Sequence, residues 1–363
     1  MNNGGGDSPK PSTGIDIVDG SGASIHLDAP IESCYVMNTN IPTAMKILGL
    51  QDNVSEILFY KSSKYDYFHD AGFKNITSDA PFYSTLTNAE YFMAHGVKYI
   101  LEPVESQTLS DTVERACRDA GITIIKLECF GETMLEDFEK IVKIFGSTDK
   151  VKKAYNDYLG IRGKVVDAVF SKVQPTDDNL FLFGFMGLNA FYNGKAELSK
   201  IAEKIYGKNA ITLTGATSTG VTNKATDEGL WEALTKLNGE KPVKMLFLRA
   251  SADDQASDLL SKWNKTAFGK YDLAYKNGLD NVYVIDSDLL SGPMDYIGYV
   301  SMAELSGIDT GYSVRELVEQ YVQLYGFAKE TSIYTWQIVF DSSGKATKVI
   351  DAGIDGRNAS NFV

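Results

Sequence analysis

The first half of the chain alternates short apolar runs with segments of helical periodicity. The apolar runs that predict strands buried on both faces are CYVMN at 34–38, EILFY at 56–60, KYILE at 98–102 and ITIIKL at 122–127. Helical spacing that ends at or near glycine occupies the segments between them, at 42–50, 87–96 and 109–121. This repeated order of strand and helix predicts a largely parallel sheet with helices on both sides.

A second series of the same kind begins near Asn179. Its predicted strands are NLFLFGF at 179–185, VKMLFLRA at 243–250 and NVYVIDS at 281–287. Its predicted helices span 196–207 and 256–264. Two series predict two sheets, so we expect an α/β fold with two Rossmann-like lobes and mainly parallel sheets.

One long segment joins the two series. Helical spacing between 147 and 173 produces a broadly apolar stripe formed by Val151, Tyr155, Tyr158, Arg162, Val165, Val169 and Val173. At 1.5 Å per residue the segment would extend about 40 Å, which favours an interlobe helix over 147–174. Two helices broken at Gly160 are the alternative, because Gly160 and Gly163 each weaken a helix by about 1 kcal/mol relative to Ala.

Hairpins are predicted at both ends of the chain. From Ile15, apolar and polar residues alternate around Gly-Ser-Gly, and a strand, turn, strand pattern follows Gly326. The predicted organisation is a flexible tether at 1–14, an N-terminal α/β lobe at 15–146, the interlobe helix at 147–174, a C-terminal α/β lobe at 175–326, and a hairpin extension at 327–363 packed on the second lobe. The tether has the composition of a processed lipoprotein start and equally that of a trimmed end without a role.

Charge and side-chain chemistry narrow the classes of function. The 363 residues hold 35 Lys and Arg against 48 Asp and Glu, a net charge of −13. This sign is wrong for a chain that neutralises phosphates, so nucleic acid is excluded as a partner. The three histidines lack the spacing of a zinc site, and neither a metal ligand set nor a resident cofactor is expected. Cys34, Cys117 and Cys129 are expected to be buried thiols, with a disulfide between the last two as the alternative outside the cytoplasm.

Sequence signatures of catalysis are missing. Neither GxGxxG, GxxxxGK[ST] nor GxSxG occurs, which argues against dinucleotide, nucleoside triphosphate and serine-hydrolase sites. Adjacent carboxylates such as Asp253 and Asp254 are expected on the solvated surface of so acidic a chain. We therefore expect a protein that is not an enzyme.

The order and spacing of several short motifs resemble a known family. Residues 15–58 match a "DxxGxxhxLxxPhxRhh" hairpin and strand followed by an "LGhxDxhhGh" helix end (h, apolar) at Asp19, Gly22, Leu27, Pro30, Leu48, Gly49 and Asp52. Residues 87–101 are similar to an "NxExhhxhxPDhhh" segment, with Asn88 and Glu90 in step and Gly96-Val97-Lys98 in place of Lys-Pro-Asp. Over about 15–326 the chain resembles the class III substrate-binding proteins of ABC importers.

The resemblance implies a receptor for a metal-containing ligand. Such a receptor captures an iron(III)-siderophore, or a related metal chelate or tetrapyrrole such as haem or a corrinoid, in a cleft between lobes. It delivers this ligand to an ABC permease and its ATPase. The resemblance also implies an extracytoplasmic monomer, in the periplasm or at the cell surface, held to the membrane only by an N-terminal lipid.

A family of this kind has one exposed glutamate on each lobe that docks to the permease. Glu90 and Glu228 stand at the matching helix starts. Stabilisation of a carboxylate by the helix dipole is the alternative role for both.

Ligands of open α/β sheets bind beyond the carboxyl ends of the strands. The candidates for ligand binding at these positions are Asn38, Asn40, Tyr60, Tyr65, Tyr83, Met186, Asn189, Tyr192, Arg249 and Tyr296. Tyrosines offer flat apolar faces with polar tips to a bulky ligand, although core packing is the alternative. Arg249 could bind a carboxylate through two hydrogen bonds or form an ion pair within the protein. Few basic residues accompany it, which favours a carboxylate-bearing or nearly neutral ligand over an anionic catecholate chelate.

Two other functions stay open at this point. A nitrogenase-like cofactor-binding or assembly protein, or an enzyme of that type, also holds a metallocluster between α/β lobes, but it needs cysteine ligands, and only Cys129 follows a predicted strand. A ligand sensor that signals to a partner would carry the same sequence features as a transport receptor.

Overall fold

A computed structural model describes most of the chain as two compact units. The described residues are 14–59, 65–105, 107–185, 190–216, 218, 220–224, 228–250, 260–261, 281–290, 292–327, 335–343 and 345–351. Unit 1 comprises Met1–Cys129 and Thr133–Asp157, and unit 2 comprises Phe130–Glu132 and Tyr158–Val363. The predicted tether at 1–14 lies outside the described residues except for Gly14.

Unit 1 contains an N-terminal hairpin and a parallel sheet. The strands are β1 (Ile15–Val18) and β2 (Ser24–Leu27) in the hairpin, and β3 (Cys34–Met37), β4 (Val54–Leu58), β5 (Tyr99–Glu102) and β6 (Thr123–Lys126) in the sheet. The sheet order among the described residues is β4-β3-β5-β6, and every pairing in it is parallel. The parallel sheet predicted from the buried apolar runs is therefore confirmed.

Helices connect these strands. They are α1 (Asn40–Ile47), α2 (Tyr65–Asp70), α3 (Glu90–Ala94), α4 (Asp111–Asp119) and α5 (Met134–Ile144). α4 shows why the helices begin and end where they do. The side chain of Ser110 accepts a hydrogen bond from the backbone N–H of Val113, and Gly121 follows the helix at a φ of 82°.

Asp19, the first matching residue of the hairpin motif, stabilises the turn of the hairpin and its contact with the sheet. Its Oδ1 accepts hydrogen bonds from the N–H groups of Ser21 (2.9 Å) and Ala23 (3.0 Å), which closes the turn of the hairpin. Its Oδ2 accepts a hydrogen bond from the N–H of Lys126 (3.0 Å), at the end of β6. Gly22 has a φ of 85°, where a side chain would be strained. The aspartate thus attaches the hairpin to the sheet.

Unit 2 has a longer sheet, which is mixed. Its strands are β7 (Leu180–Phe185), β8 (Ala190–Tyr192), β9 (Lys208–Asn209), β10 (Thr222–Lys224), β11 (Val243–Ala250), β12 (Asn281–Asp286), β13 (Thr335–Phe340) and β14 (Ala346–Asp351). The order is β10-β8-β7-β11-β12-β13-β14, with β9 beside β7. The pairings of β7 with β9, β7 with β11 and β11 with β12 are parallel, and the others are antiparallel.

The three strands predicted for the second sheet, β7, β11 and β12, pair in parallel as expected, and the antiparallel pairings come from β8 and β10, which were not predicted, and from the terminal hairpin. The short connection from β7 to β8 and the turn at Asp341 leave room only for antiparallel neighbours, since a parallel crossover needs a dozen residues or more. In the predicted hairpin extension, β13 and β14 continue the sheet beyond β12. The Asp341 Oδ1 stabilises their turn by accepting hydrogen bonds from the N–H groups of Ser343 and Lys345.

Helices pack on both faces of this sheet. They are α7 (Glu197–Ile205), α8 (Ala210–Leu213), α9 (Glu228–Glu240), α10 (Ser287–Leu290), α11 (Asp295–Leu305) and α12 (Val314–Tyr325). They follow α6 (Asp149–Phe170) in the chain. One core joins α8 and α9 to the sheet through Leu182, Leu246, Val284, Trp231 and Trp336, all at most 2% exposed. Of the helix predicted at 256–264, only 260–261 are described.

α6 contributes residues to both units. It continues without a break past Gly160 and Gly163, so the alternative of two helices broken at Gly160 does not occur. Within unit 2, Arg162 donates to both carboxylate oxygens of Asp295, at 2.9 and 2.6 Å. The hydroxyl of Tyr158, which is fully buried, donates to the carbonyl of Pro293 at 3.1 Å. These bonds fasten α6 to the start of α11.

We expect Arg162→Ala to destabilise unit 2 by about 3–5 kcal/mol, because the largely buried carboxylate of Asp295 would lose its partner. Tryptophan fluorescence during urea unfolding measures the free energy of unfolding of this unit alone, since Trp231, Trp263 and Trp336 all belong to it. The control is Arg315→Ala, which removes an exposed pair with Glu319 and should change the free energy of unfolding by about 1 kcal/mol or less. Equal effects of the two substitutions would contradict the expectation.

Candidate functional site

Arg249 and Tyr192 meet at the carboxyl edge of the sheet of unit 2. Arg249 is the penultimate residue of β11, a central strand, and lies opposite Phe185, the last residue of β7. Its Nη1 donates a hydrogen bond of 2.9 Å to the hydroxyl oxygen of Tyr192, on β8. The structure therefore brings together two of the residues predicted for ligand binding, on the strands to either side of β7, although the sequence separates them by 57 positions.

The guanidinium of Arg249 has no carboxylate partner among the described residues. Arg118, Arg162 and Arg315 each form an ion pair with an acidic side chain. The side chain of Arg249 is partly buried and has one hydrogen-bond partner in the described part of the chain, which is a neutral phenol. A guanidinium has five N–H donors, so most of its hydrogen-bonding capacity and its charge have no partner in the described segments of the chain.

Aromatic rings stand beside this charge. The centroid of the Tyr192 ring lies 4.5 Å from that of Phe185 and 5.6 Å from that of Phe183. Phe183 in turn lies 5.8 Å from Phe247, on the same face of the sheet. Phe183 and Phe247 have no exposed surface and Tyr192 is buried, so Phe185 is the ring of this group that is partly exposed. The edge thus offers a cation next to one partly exposed aromatic ring, an arrangement that suits a ligand with an acidic group and an unsaturated body.

Two predicted asparagines lie at the carboxyl edge of the sheet of unit 1. Asn38 directly follows β3, is buried, and has a φ of 61°. Its Oδ1 accepts a hydrogen bond of 3.1 Å from the N–H of Ile41, in the first turn of α1. Asn40 begins α1 and is partly exposed. The carbonyl of the Asn38 side chain is thus occupied in holding the strand–helix connection.

The predicted tyrosines of unit 1 have different surroundings. Tyr65 begins α2, is partly exposed, and stacks on His69 with ring centroids 5.3 Å apart. Tyr83 is partly buried and packs against the core of unit 1. Tyr60 lies outside the described residues.

In unit 2, the remaining ligand-binding predictions do not join Arg249 and Tyr192. Tyr296 is 1% exposed and packs against Tyr158, because α11 begins one residue earlier, at Asp295, and turns the ring into the core. Its side chain offers no surface to a ligand in this structure. Met186 and Asn189 lie outside the described residues.

Glu90 and Glu228 are both exposed at helix starts, as their predicted role requires. The N–H of Glu90 donates a hydrogen bond of 2.9 Å to Oδ1 of Asn88. Glu228 begins a shallow groove of about 490 Å³ along α9, which Trp231, Glu232, Thr235 and Lys236 also line. Their docking role stays a prediction.

In the sequence, Glu102 is the last residue of the strand predicted at 98–102. The structure places it at the centre of a charged cluster at the carboxyl edge of unit 1. Lys126 Nζ lies 3.3 Å from Glu102 Oε1 and 2.7 Å from Glu114 Oε1, and Glu102 Oε2 accepts a hydrogen bond of 3.2 Å from the N–H of Leu109. Glu102 has no exposed surface. Burial, together with the negative charge of Glu114, raises its pKa to about 7.

The cysteines offer no cluster of thiolates. Cys34, Cys117 and Cys129 are free and buried, so the alternative disulfide does not form. Burial raises the pKa of all three thiols, that of Cys117 to about 11. Among the residues that the structure describes, no group of three or more His, Cys, Asp and Glu side chains could hold a metal ion. A search of the same residues for a helix able to cross a membrane found none.

Comparisons with known proteins bear on the fold. No protein-family model and no curated protein matches the sequence. The structure is similar to a TroA-like periplasmic binding protein from Veillonella parvula, with a TM-score of 0.62 and 14% identity over 89% of this chain and 99% of that one. It is also similar to an ABC-type Fe³⁺-hydroxamate transport system protein from Saccharomonospora viridis, with a TM-score of 0.58 and 15% identity over 81% of this chain and 99% of that one.

A third similar structure is a periplasmic haem-binding protein from Pseudomonas aeruginosa, with a TM-score of 0.52 and 15% identity over 75% of this chain and 91% of that one. The three comparisons agree on the architecture and cover almost the whole of each neighbour. They confirm the two-lobe α/β fold expected from the sequence and from its resemblance to substrate-binding proteins.

We expect Glu102→Gln to stabilise unit 1 at pH 8 by about 1–3 kcal/mol and to have little effect at pH 5. The folded-state pKa of Glu102 is raised above its ordinary value of 4.5, so the folded protein holds this proton more tightly than the unfolded chain. The stability of the wild type therefore falls as the pH rises from about 4.5 to about 7, and the neutral amide removes this loss.

Labelling of the thiols with a dithiodipyridine reagent in urea measures the free energy of unfolding of unit 1, since all three cysteines belong to it. Glu105→Gln, at an exposed position of the same segment, is the control. A Glu102→Gln variant that is no more stable than the wild type at pH 8 would contradict the expectation.

Proposed function

We propose that the protein is an extracytoplasmic substrate-binding protein of an ABC importer, which captures an iron(III)-siderophore or a related metal chelate or tetrapyrrole. The single observation that carries this proposal is the guanidinium of Arg249 beside Tyr192 and Phe185, which has no acidic partner among the residues that the structure describes. It lies at the carboxyl edge of an α/β sheet, where ligands of such sheets bind. The fold shared with periplasmic binding proteins supports the same function.

The chemistry of the site favours a ligand that carries an acidic group on a large, partly unsaturated body. A carboxylate or hydroxamate oxygen would accept hydrogen bonds from the free donors of Arg249. The partly exposed face of Phe185 would cover the apolar part of the ligand, and the buried Tyr192 would hold the guanidinium in place. Haem, with its carboxylates, and a ferric hydroxamate or carboxylate siderophore fit these requirements. A catecholate chelate of high negative charge would call for more cations than the described edge provides.

The site supports binding without chemistry. It contains a cation and aromatic rings, and Tyr192 is bonded to the arginine, an arrangement that supplies no activated nucleophile. The nitrogenase-like alternative requires cysteine ligands, and the buried cysteines of unit 1 do not favour it. A ligand sensor would use the same binding site and differ only in its partner.

Substitution of Arg249 should separate ligand binding from folding. For whichever of haemin, ferrioxamine, ferric citrate, a ferric catecholate and cyanocobalamin binds the wild type, we expect Arg249→Ala to weaken binding about 10- to 100-fold, because a hydrogen bond to a charged group contributes roughly 1.5–3 kcal/mol. Tyr192→Phe should weaken it about 3- to 10-fold. Fluorescence quenching or calorimetric titration provides the affinities.

Arg315→Ala is the matched control, since it removes an exposed arginine of the same unit. It should leave the affinity within about twofold of the wild type. If haemin or a ferric chelate bound the wild type and Arg249→Ala equally well, Arg249 would not be the ligand-binding residue. Failure of the whole panel to bind would contradict the proposed function.

Delivery of the ligand would require a permease and its ATPase, with the receptor acting as a monomer held to the membrane by an N-terminal lipid. Exposure of Glu90 and Glu228 at helix starts supports their role as docking residues. We expect the double variant Glu90→Ala/Glu228→Ala to abolish uptake of the bound chelate by cells that express the importer. Its affinity for the chelate should stay within about twofold of the wild type.

Glu316→Ala/Glu319→Ala, at exposed positions on α12, is a suitable control for this uptake assay. It should transport normally. Loss of ligand affinity in the Glu90→Ala/Glu228→Ala variant, or normal uptake by it, would refute the docking assignment.

A further inference from the structure

The strand that carries Tyr192 is held weakly by its own backbone. β8 has three residues and one bridge to β7, between Phe191 and Gly184. Its other neighbour, β10, also has three residues and forms the edge of the sheet. So short a pair of strands gives little resistance to a shift of register. The position of the Tyr192 hydroxyl must therefore depend on further contacts.

The side-chain amide of Asn209 supplies these contacts from inside unit 2. Asn209 has no exposed surface. Its Nδ2 donates hydrogen bonds of 2.9 Å to the carbonyl oxygen of Tyr192 and to the hydroxyl oxygen of Ser199, on α7. Its Oδ1 accepts a hydrogen bond of 2.9 Å from the N–H of Ile211, in α8. One amide thus joins β8 to two helices.

We propose that Asn209 is the positioning residue of the ligand site. By fixing the carbonyl of Tyr192, it determines where the phenol meets Arg249 and so which donors of the guanidinium face the ligand. This inference rests on the proposed function for its effect on affinity, but the effect on Arg249 itself requires no ligand.

No other side chain could replace this amide. The position needs two donors, for Tyr192 and Ser199, and one acceptor, for the N–H of Ile211, within the length of an asparagine. An ionised aspartate keeps the acceptor and can accept from the Ser199 hydroxyl, but it has no donor for the carbonyl of Tyr192 and places a carboxylate oxygen against it. Asn209→Asp is therefore nearly isosteric, keeps the cap of α8, and in its ionised form breaks the bond that positions β8.

The first measurement uses the protein without ligand. The ¹⁵N signals of the Arg249 guanidinium, assigned by their loss in Arg249→Lys, report on its bond to the Tyr192 hydroxyl, and Tyr192→Phe gives their position when that bond is missing. We expect Asn209→Asp to move these signals toward the Tyr192→Phe position. Asn179→Asp is the matched control, because Asn179 Nδ2 donates to the carbonyl of Tyr206 in the same unit without contact to Tyr192. It should leave the signals in place.

The second measurement is the affinity for haemin or ferrioxamine. Asn209→Asp should weaken binding about 3- to 10-fold, as Tyr192→Phe does, and the double variant should bind no more weakly than either single one, because both remove the same interaction. If the affinity of the double variant were reduced by the product of the two single reductions, the positioning role of Asn209 would be overturned. Unchanged Arg249 signals in folded Asn209→Asp would also overturn it, and would leave the proposed function intact.

Two further outcomes are informative. If Asn209→Asp does not fold, Asn209→Ala, which removes the bond to the Tyr192 carbonyl without placing a charge in the core, must move the Arg249 signals in the same direction; unchanged signals would contradict the proposal. If neither probe binds the wild type, the proposed function loses its support for these ligands. Movement of the Arg249 signals in the ligand-free protein would then still support the positioning of Tyr192 by Asn209, and unchanged signals would refute it.

Discussion

Parallel strands with both faces covered leave only their ends to meet a ligand. In unit 2, the middle residues of the central strands, Leu182, Phe247 and Val284, have no exposed surface. Polar chemistry on these strands is therefore confined to the positions where they end, and Arg249 occupies one of them. The same constraint acts in unit 1, where Asn38 and Glu102 stand at the ends of β3 and β5. The location of the candidate site follows from how the sheets are covered.

Electrostatics make the end of β11 different from the others. The chain has a net charge of −13, so a partly buried arginine would ordinarily find a carboxylate of its own. Arg162 does so with Asp295, and that pair serves to join α6 to α11. Within the described part of the chain, Arg249 instead has a tyrosine hydroxyl, which orients the guanidinium without neutralising it. A charge that is held in place without a counterion among those residues is suited to bind an anion.

The elements that the sequence predicted well are those whose signal is local. The apolar runs at 34–38 and 243–250 became β3 and β11, since burial on both faces leaves few polar positions to confuse the pattern. The antiparallel strands β8 and β10 were missed, because three residues are too few to show a period of two. Their presence made the second sheet mixed.

The site was partly predictable, because some of its residues also carry a local signal. Arg249 and Tyr192 could be found from their positions after apolar runs, but nothing local indicated that they would form a hydrogen bond. Tyr296 met the same rule and is buried, because α11 begins one residue before it, at Asp295, whose carboxylate pairs with the distant Arg162. Asn209 carried no recognisable signal, since a buried asparagine that joins three elements has the sequence context of an ordinary turn.

A crystal structure of the protein with haemin or a ferric chelate bound is the most direct test of this account. We expect an anionic oxygen of the ligand within about 3 Å of the Arg249 guanidinium, with the ring of Phe185 against the ligand body. A ligand bound away from Arg249, or a carboxylate of the protein itself paired with that guanidinium, would contradict it.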